Sequence, residues 1–588
     1  MSLGQARSSV GVNTGQGSDQ AWWEGDGAPA LALAALSVVA SVWFLLLTSG
    51  EYFFSDEWSR FSLYPNVGFT WSLHGANGHL VFLNVLLYRA LLEVFGGGSY
   101  LPFRLVCLLL QLAAVWLLFS YLRPRVNAWL VVGCISPLLF LGSAWVVTAS
   151  AYGSLILTPI VLGLAALLAL DRQSRSSDLL ASGLLLLAVL AHSGGLPFLV
   201  GAAVLLAHGS DRSRSRLWVI APASIAYLAW FAWTRWLSPG IDFFGEPLSV
   251  YNLGFLPRSL IETPSAALAA ATGTFYRLDP AGALDFNLAP GYVLLLLSVI
   301  GLVALWSRRR EALSIRVLMP VSMLVLFTVL ISFGMSDPAR QPTSPRYLYF
   351  TTLCVIWTFC EVSPAIRWRP WKVGVLVGVI CLGLLANASI YGKAANALRD
   401  AGVRSRAALT AIAAAGPIAT PTDRLSDLAS PGVEDGAYSE WIVALDQRSI
   451  RRFGGDTLTL GALAEAGPKV RSIVDRVLFA VERIELAEMN RLTDEVTCEA
   501  PSRTVRVDSR SPIEVLPGDS LAIAADVRNT KPIEVTVGRY AGPELALDKL
   551  GAGEEGQIDF PQDGSKQPWQ VAFSSGGRAR VCLATQPG

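Results

Sequence analysis

Two adjacent carboxylates stand where an apolar run ends, in Glu51-Tyr52-Phe53-Phe54-Ser55-Asp56-Glu57-Trp58. A carboxylate at the edge of an apolar layer loses part of its hydration. Its pKa then rises towards neutral pH, which suits it to general-base work. The aromatic neighbours, Trp58 among them, can stack on sugar rings or anchor at a bilayer interface. The bland alternative is an acidic, solvated loop with an aromatic belt. A second group follows in Trp71-Ser72-Leu73-His74-Gly75-Ala76-Asn77-Gly78-His79. The chain has only 4 histidines, and two of them fall here. His74, Asn77 and His79 can supply a base, phosphate donors or metal ligands; plain loop polarity accounts for each residue as well. The third group is Asp337-Pro338-Ala339-Arg340 with Ser344-Pro345-Arg346-Tyr347. Arg340 and Arg346 beside a membrane face suit a lipid phosphate, with Tyr347 adjacent, or else snorkel to the interface. His192 and His208, at the ends of apolar runs, read as structural.

These groups need a membrane scaffold to bring them together. The 588 residues are 53% hydrophobic and only 15% charged, and the mean hydropathy is +0.47. Soluble domains carry about 25% charged residues, so much of this chain faces lipid. The net charge of +1 gives no attraction to nucleic acid. Eleven spans are expected, near 28–48, 100–121, 126–146, 151–170, 178–191, 196–208, 217–236, 289–306, 314–333, 346–362 and 372–391. His192-Ser193-Gly194-Gly195-Leu196-Pro197 divides 178–208 into two short helices, because one helix of that length would far exceed a core of about 30 Å. Short loops on one side collect Arg123, Arg125, Arg172, Arg175, Arg212, Arg214, Arg216, Arg308, Arg309, Arg310, Arg316, Arg367, Arg369 and Lys372. The positive-inside rule makes that side cytoplasmic, with residues 1–27 as a cytoplasmic tail and the C-terminal region extracytoplasmic. Leu80–Phe95 reads as an interfacial helix in the first outer loop, and the loop at 237–288 has room for another.

Beyond the spans, residues 393–415 and 457–493 look helical, and Gly416–Tyr438 reads as a linker. After Cys498 the period changes to two, through Val505, Ile513, Leu521, Ile533, Trp569 and Val581, as in a small antiparallel sandwich. Cys498 precedes the first strand and Cys582 lies in the last. A bridge between them would stabilise by roughly 4–5 kcal/mol in the chain-entropy model. The expected architecture is a polytopic α-helical membrane protein with a C-terminal extracytoplasmic α+β domain. Its divisions are a membrane module at 28–391, a helical and linker region at 392–497, and a β-sandwich at 498–588. No P-loop, dinucleotide fingerprint or nucleophile elbow occurs, and Cys/His metal spacing is absent.

One span, an acidic pair at its outer end, a loop with an interfacial helix, many further spans and an outer domain resemble the GT-C membrane glycosyltransferases. These include protein mannosyltransferases, aminoarabinose transferases and arabinofuranosyltransferases. Asp56-Glu57-Trp58, Asn77-Gly78-His79-Leu80 and Ser99-Tyr100-Leu101-Pro102-Phe103-Arg104 are similar to bacterial members. The pair is Asp-Glu where many members have Asp-Asp. The resemblance covers about residues 28–391 and implies a polyprenyl-phosphate sugar donor. It also implies catalysis by Asp56 with Glu57 beside it, and phosphate binding by Arg340 or Arg346. The acceptor would be an extracytoplasmic glycan, lipid or protein. No nucleotide is needed and no cofactor is certain, and a divalent metal stays open. Besides a non-catalytic assembly protein that displays the C-terminal sandwich, two other functions compete. One is a lipid-diphosphate-dependent glycan ligase or polymerase, which would lean on His74, His79, Arg340 and Arg346. The other is a lipid-linked glycan flippase, which the scarcity of mid-span charges disfavours.

Overall fold

The computed structural model describes residues 27–53, 57, 72–73, 78–207, 214–237, 249–278, 284–308, 314–336, 340–415, 463, 466–482, 484–489, 503–506, 512–563, 567–574 and 578–585. Among them, 8 helices are long and apolar enough to cross a membrane. In chain order the elements begin with α1 (Ala28–Leu47), α2 (Phe82–Phe95) and α3 (Leu101–Leu122). A pair bent by 41° follows, α4 (Ala128–Leu139) and α5 (Gly142–Thr148). Then come α6 (Ala151–Leu170), α7 (Arg175–Ala191), α8 (Ser193–Ala207) and α9 (Leu217–Trp236). The membrane module continues with α10 (Leu256–Ala271), a hairpin of β1 (Tyr276–Leu278) and β2 (Leu284–Phe286), α11 (Ala289–Arg308), α12 (Ile315–Ser332) and α13 (Pro345–Ala365). It ends in α14 (Pro370–Ala415).

The expected eleven spans therefore resolve into these 8 continuous helices, one bent pair and the α7–α8 hairpin. The chain does break at His192–Gly195, as the sequence requires. Arg216 pairs with Asp178 at the start of α7 and donates to the Leu170 carbonyl at the end of α6. Both ends of the hairpin thus lie on one face, with Arg125 paired to Asp171 beside them. At 1.5 Å per residue the two arms are about 23–26 Å long, shorter than a core of about 30 Å. Close contacts hold the arms in place. A Cβ on Gly163 would stand 2.2 Å from the Phe198 ring, and one on Gly201 2.7 Å from Met323 Sδ.

Three expectations are corrected. Helix α10 lies within the bundle rather than on its surface: Ala266, Ala269 and Ala270 belong to the buried core. Its side chains are small, so neighbouring backbones approach closely. The Asn387 amide clamps it by donating to the Ala270 carbonyl while accepting from the Ser143 N–H and hydroxyl. Residues 370–415 form one uninterrupted 46-residue helix, with no break between the last span and the Ala-rich stretch. The helical pattern expected over 457–493 yields α15 (Pro468–Val481) and then β3 (Leu486–Met489). Pairing with a neighbouring strand overrides helix propensity there.

The strands continue as β4 (Arg503–Arg506), β5 (Ile513–Val515), β6 (Asp519–Ala525), β7 (Ile533–Gly538), β8 (Leu545–Leu550), β9 (Glu555–Asp559), β10 (Trp569–Ser574) and β11 (Arg578–Thr585). They form two antiparallel sheets, ordered β5-β10-β7-β8 and β3-β9-β6-β11-β4. The alternating residues Leu521, Ile523, Val535, Val537, Val571 and Val581 fill a shared core. Because β3 pairs with β9, the sheet system begins before residue 498. That core continues into the outer half of α14 and on to Tyr52, Tyr88 and Tyr100. Cys582 is disulfide-bonded. Cys498, its expected partner, lies outside the described residues.

Candidate functional site

Two polar clusters lie on the face opposite the Arg125–Asp171 pair. The first surrounds Glu57, which is completely buried. Its carboxylate accepts from the Tyr88 hydroxyl at 2.7 Å and from the Tyr100 hydroxyl at 3.0 Å. The Tyr100 oxygen accepts in turn from the Ala151 N–H at 2.7 Å. Helix α2 carries Tyr88 on its buried side, and Tyr100 caps α3. Phe53 packs edge-on against Tyr100 and Phe103. Burial and the neighbouring Glu57 push the Tyr100 phenol well above its ordinary range. It therefore stays protonated and donates. Glu57 accordingly anchors the acidic motif from the inside and offers no open edge to a substrate.

Glu51 lies nearby, 3% exposed, with neither oxygen hydrogen-bonded. Burial pushes its carboxyl up to about 9, although Arg104 and Arg399 oppose the shift; Glu57 adds to it. Glu51 is thus neutral at physiological pH. Arg399 donates to the Leu47 and Ser49 carbonyls and so closes the end of α1.

The second cluster lines a cavity that is partly open to the outside. Its walls are apolar: Ile156, Pro159 and Ile160 from α6, Phe327 and Ile331 from α12, and Phe350 from α13. Its polar end consists of His79, His192, Ser193, Tyr227, Arg340 and Tyr347. The His79 and His192 rings lie 4.6 Å apart. Local geometry explains how His79 arrives there. Gly78 has φ +75, a conformation that favours glycine, and turns the chain into the residues before α2. Asn84 then ties α2 to the hairpin by donating to the Ala191 carbonyl at 3.0 Å. Trp230 of α9 donates to the Leu73 carbonyl at 2.7 Å and holds the start of the same loop. Gly334 leaves room for Arg340, whose Cδ would lie 2.7 Å from any Cβ at that position.

Burial, with Arg340 and Arg346 beside it, pulls His79 down to about 4. His79 is a neutral imidazole at physiological pH, and its Nδ1 is buried without a hydrogen-bond partner. Arg346 stands behind the wall, donating to the Ser344 hydroxyl at 3.2 Å. Among the sequence candidates, the structure brings His79, Arg340 and Tyr347 to one cavity, with Arg346 adjacent. It places Glu57 in a separate, closed pocket. Asp56, Trp58, His74 and Asn77 lie outside the described residues. From sequence His192 reads as structural, and Ser193 and Tyr227 do not stand out. The breaker at 192–197 was visible, but which helix its tip would face was not. Among the described residues, no group of three or more His, Cys, Asp or Glu could hold a metal ion.

The arrangement sets a polar end that includes Arg340 against a hydrocarbon-lined wall. That is the pattern of a site for an amphiphile with an acidic head. No family model matches the chain, and neither a curated protein nor a solved structure matches it.

Proposed function

We propose that the chain is a membrane glycosyltransferase of the GT-C kind. It moves a sugar from a polyprenyl-phosphate donor to an extracytoplasmic glycan, lipid or protein. One observation carries the reading: a single cavity joins Arg340, His79 and Tyr347 to an apolar wall. In this scheme the lipid tail lies against Ile160, Phe327 and Phe350. Arg340, with Arg346 behind it, stabilises the charge that develops on the phosphate as the anomeric C–O bond breaks. Asp56 removes the proton of the acceptor hydroxyl, whose oxygen forms the new bond to the anomeric carbon with inversion. The lipid phosphate leaves with the bonding electron pair. Glu57 holds the acidic motif through Tyr88 and Tyr100. The arginine-rich face is then cytoplasmic, and the C-terminal sheets are extracytoplasmic.

The test is sugar transfer by purified protein from a panel of polyprenyl-monophosphate sugars, comparing wild type with Asp56→Asn. Removal of a general base predicts a loss of about a hundredfold or more. Equal rates would move the base elsewhere. A second reading, a ligase using lipid-diphosphate donors, draws on the convergence of His79 with Arg340 and Arg346. Transfer from diphosphate-linked but not monophosphate-linked sugars would select it.

A further inference from the structure

The tip of the α7–α8 hairpin stops well inside the bundle. A Cβ on Gly194 would lie 3.8 Å from Pro159 Cγ, and Pro159 is eight residues into α6. Along α6 that is about 12 Å from its end at Ala151. A chain break at such a depth must satisfy its own backbone N–H groups, and here His192 accepts those of Gly194 and Gly195 through its Nδ1 and its carbonyl. Breaks of this kind persist where they line a cavity. This one lines the cavity with His192, Ser193 and Gly194.

The chemistry of the tip is specific. Helix α8 begins here, and a helix N-terminus presents partial positive charge to whatever faces it. His192 Nδ1 accepts the Gly194 N–H at 2.9 Å. In the neutral ring the proton must then sit on Nε2, so His192 is fixed as a donor through that atom. Ser193 is 3% exposed, and its hydroxyl closes no hydrogen bond within 3.5 Å, although Tyr227 is placed to share a longer one. His79 Nδ1, in a ring tilted by 37° against that of His192, is likewise buried and unpartnered. Buried polar groups short of partners are costly in apolar surroundings, and here they gather at one helix end.

We infer that the His192-Ser193-Gly194 tip, at the N-terminus of α8, binds the phosphate of the lipid substrate opposite Arg340. This rests on reading the cavity as a lipid-phosphate site and extends it to residues of the hairpin. The phosphate sits between a guanidinium on one side and the Ser193 hydroxyl, His192 Nε2–H and helix dipole on the other. The arrangement suits a phosphate ester whose alkyl chain continues along the apolar wall. A free phosphate has the same head chemistry but leaves that wall bare.

Binding of farnesyl phosphate, farnesol and inorganic phosphate to the full chain in lipid nanodiscs tests the assignment. Ser193→Ala removes the hydroxyl. His192→Asn keeps an acceptor for the Gly194 N–H and loses the Nε2 donor. Each should weaken farnesyl phosphate binding about tenfold, the size of one hydrogen bond to a charged group. Farnesol binding should not change, and Ser193→Thr should bind as wild type does. If Arg340→Gln loses binding while Ser193→Ala and His192→Asn bind as wild type does, the tip plays no part and the cavity reading survives alone. Equal weakening of farnesol would mean a collapsed cavity and would also overturn the inference. Inorganic phosphate bound as tightly as farnesyl phosphate would exclude the lipid. No binding of farnesyl phosphate by wild type would remove both the inference and the reading beneath it.

Discussion

Arg539 and Arg340 occupy opposite kinds of site. Arg539 is 1% exposed at the heart of the C-terminal sheets. Its guanidinium pairs with Asp563, its Nε donates to the Gln567 carbonyl at 2.8 Å, and it stacks over Trp569 at 5.1 Å. Asp475 of α15 accepts the backbone N–H groups of Arg539, Tyr540 and Ala541 at 2.8–3.0 Å. That site is closed, and protein groups complete it. The cavity around Arg340 has an open mouth, an apolar wall and an imidazole nitrogen without a partner. Glu57 belongs with Arg539, because two tyrosine hydroxyls complete it. The comparison sets a closed polar site against one that opens to the surroundings.

Substitutions should follow that division. The largest effect is expected at Arg539→Met. It strands Asp563 and should lower the stability of the C-terminal domain by about 3–5 kcal/mol, read from denaturant unfolding. Farnesyl phosphate binding to protein that remains folded should stay as in wild type. Arg340→Gln should reverse the pattern. Binding should fall by roughly thirtyfold, the order of a charge-assisted contact, with an unchanged melting temperature. A matching loss of stability would place Arg340 among the structural groups. Tyr88→Phe removes one of the two donors to Glu57 and should cost about 1–2 kcal/mol of stability, measured by thermal melting.

The smallest effect has the opposite sign. Glu482, 8% exposed, is pushed up to about 9 by burial and then by the hydrogen bond and charge of Asp563; Arg539 opposes the shift. A carboxyl raised on folding contributes full stability below its ordinary value of 4.5, and that contribution is lost as pH climbs towards 9. Glu482→Gln should therefore melt at a higher temperature than wild type, by an amount worth about 1–2 kcal/mol at neutral pH. The gap should widen from pH 6 to pH 9. A gap that stays constant with pH would mean that Glu482 is not the titrating group.

How much of this was legible beforehand depended on whether the signal was local. Apolar runs of 20 residues identify α1 and α11 on their own. Period-two stretches such as Leu521–Ala525 disclose strands, and α2 was readable from its interrupted apolar pattern. β8 and β9 carry charged residues at several positions and were missed, for their place comes from pairing with β7 and β6. The Leu486–Met489 segment looks helical in isolation and becomes a strand only beside β9. In the site, His79 and Arg340 were named for their chemistry, but their meeting depends on contacts far apart in sequence, such as Asn84 with Ala191. Ser193 was invisible as a site residue because it stood inside a helix-breaking motif, and such motifs do not disclose what their tip faces.

The uninterrupted helix α14 has one further consequence. Successive residues of an α-helix are turned by about 100° and displaced by 1.5 Å. Membrane span and C-terminal sheets are therefore mounted on a common shaft, with an angular phase set by residue count alone. Asn387 fixes that phase at the bundle. At the other end Gly402 packs closely on the chain, since a Cβ there would lie 3.0 Å from the Tyr52 nitrogen. Adding or removing one residue between 388 and 401 would swing the sheets by more than a quarter turn relative to the acidic motif. Adding seven, close to two full turns, would nearly restore the angle while lifting the domain by about 10 Å.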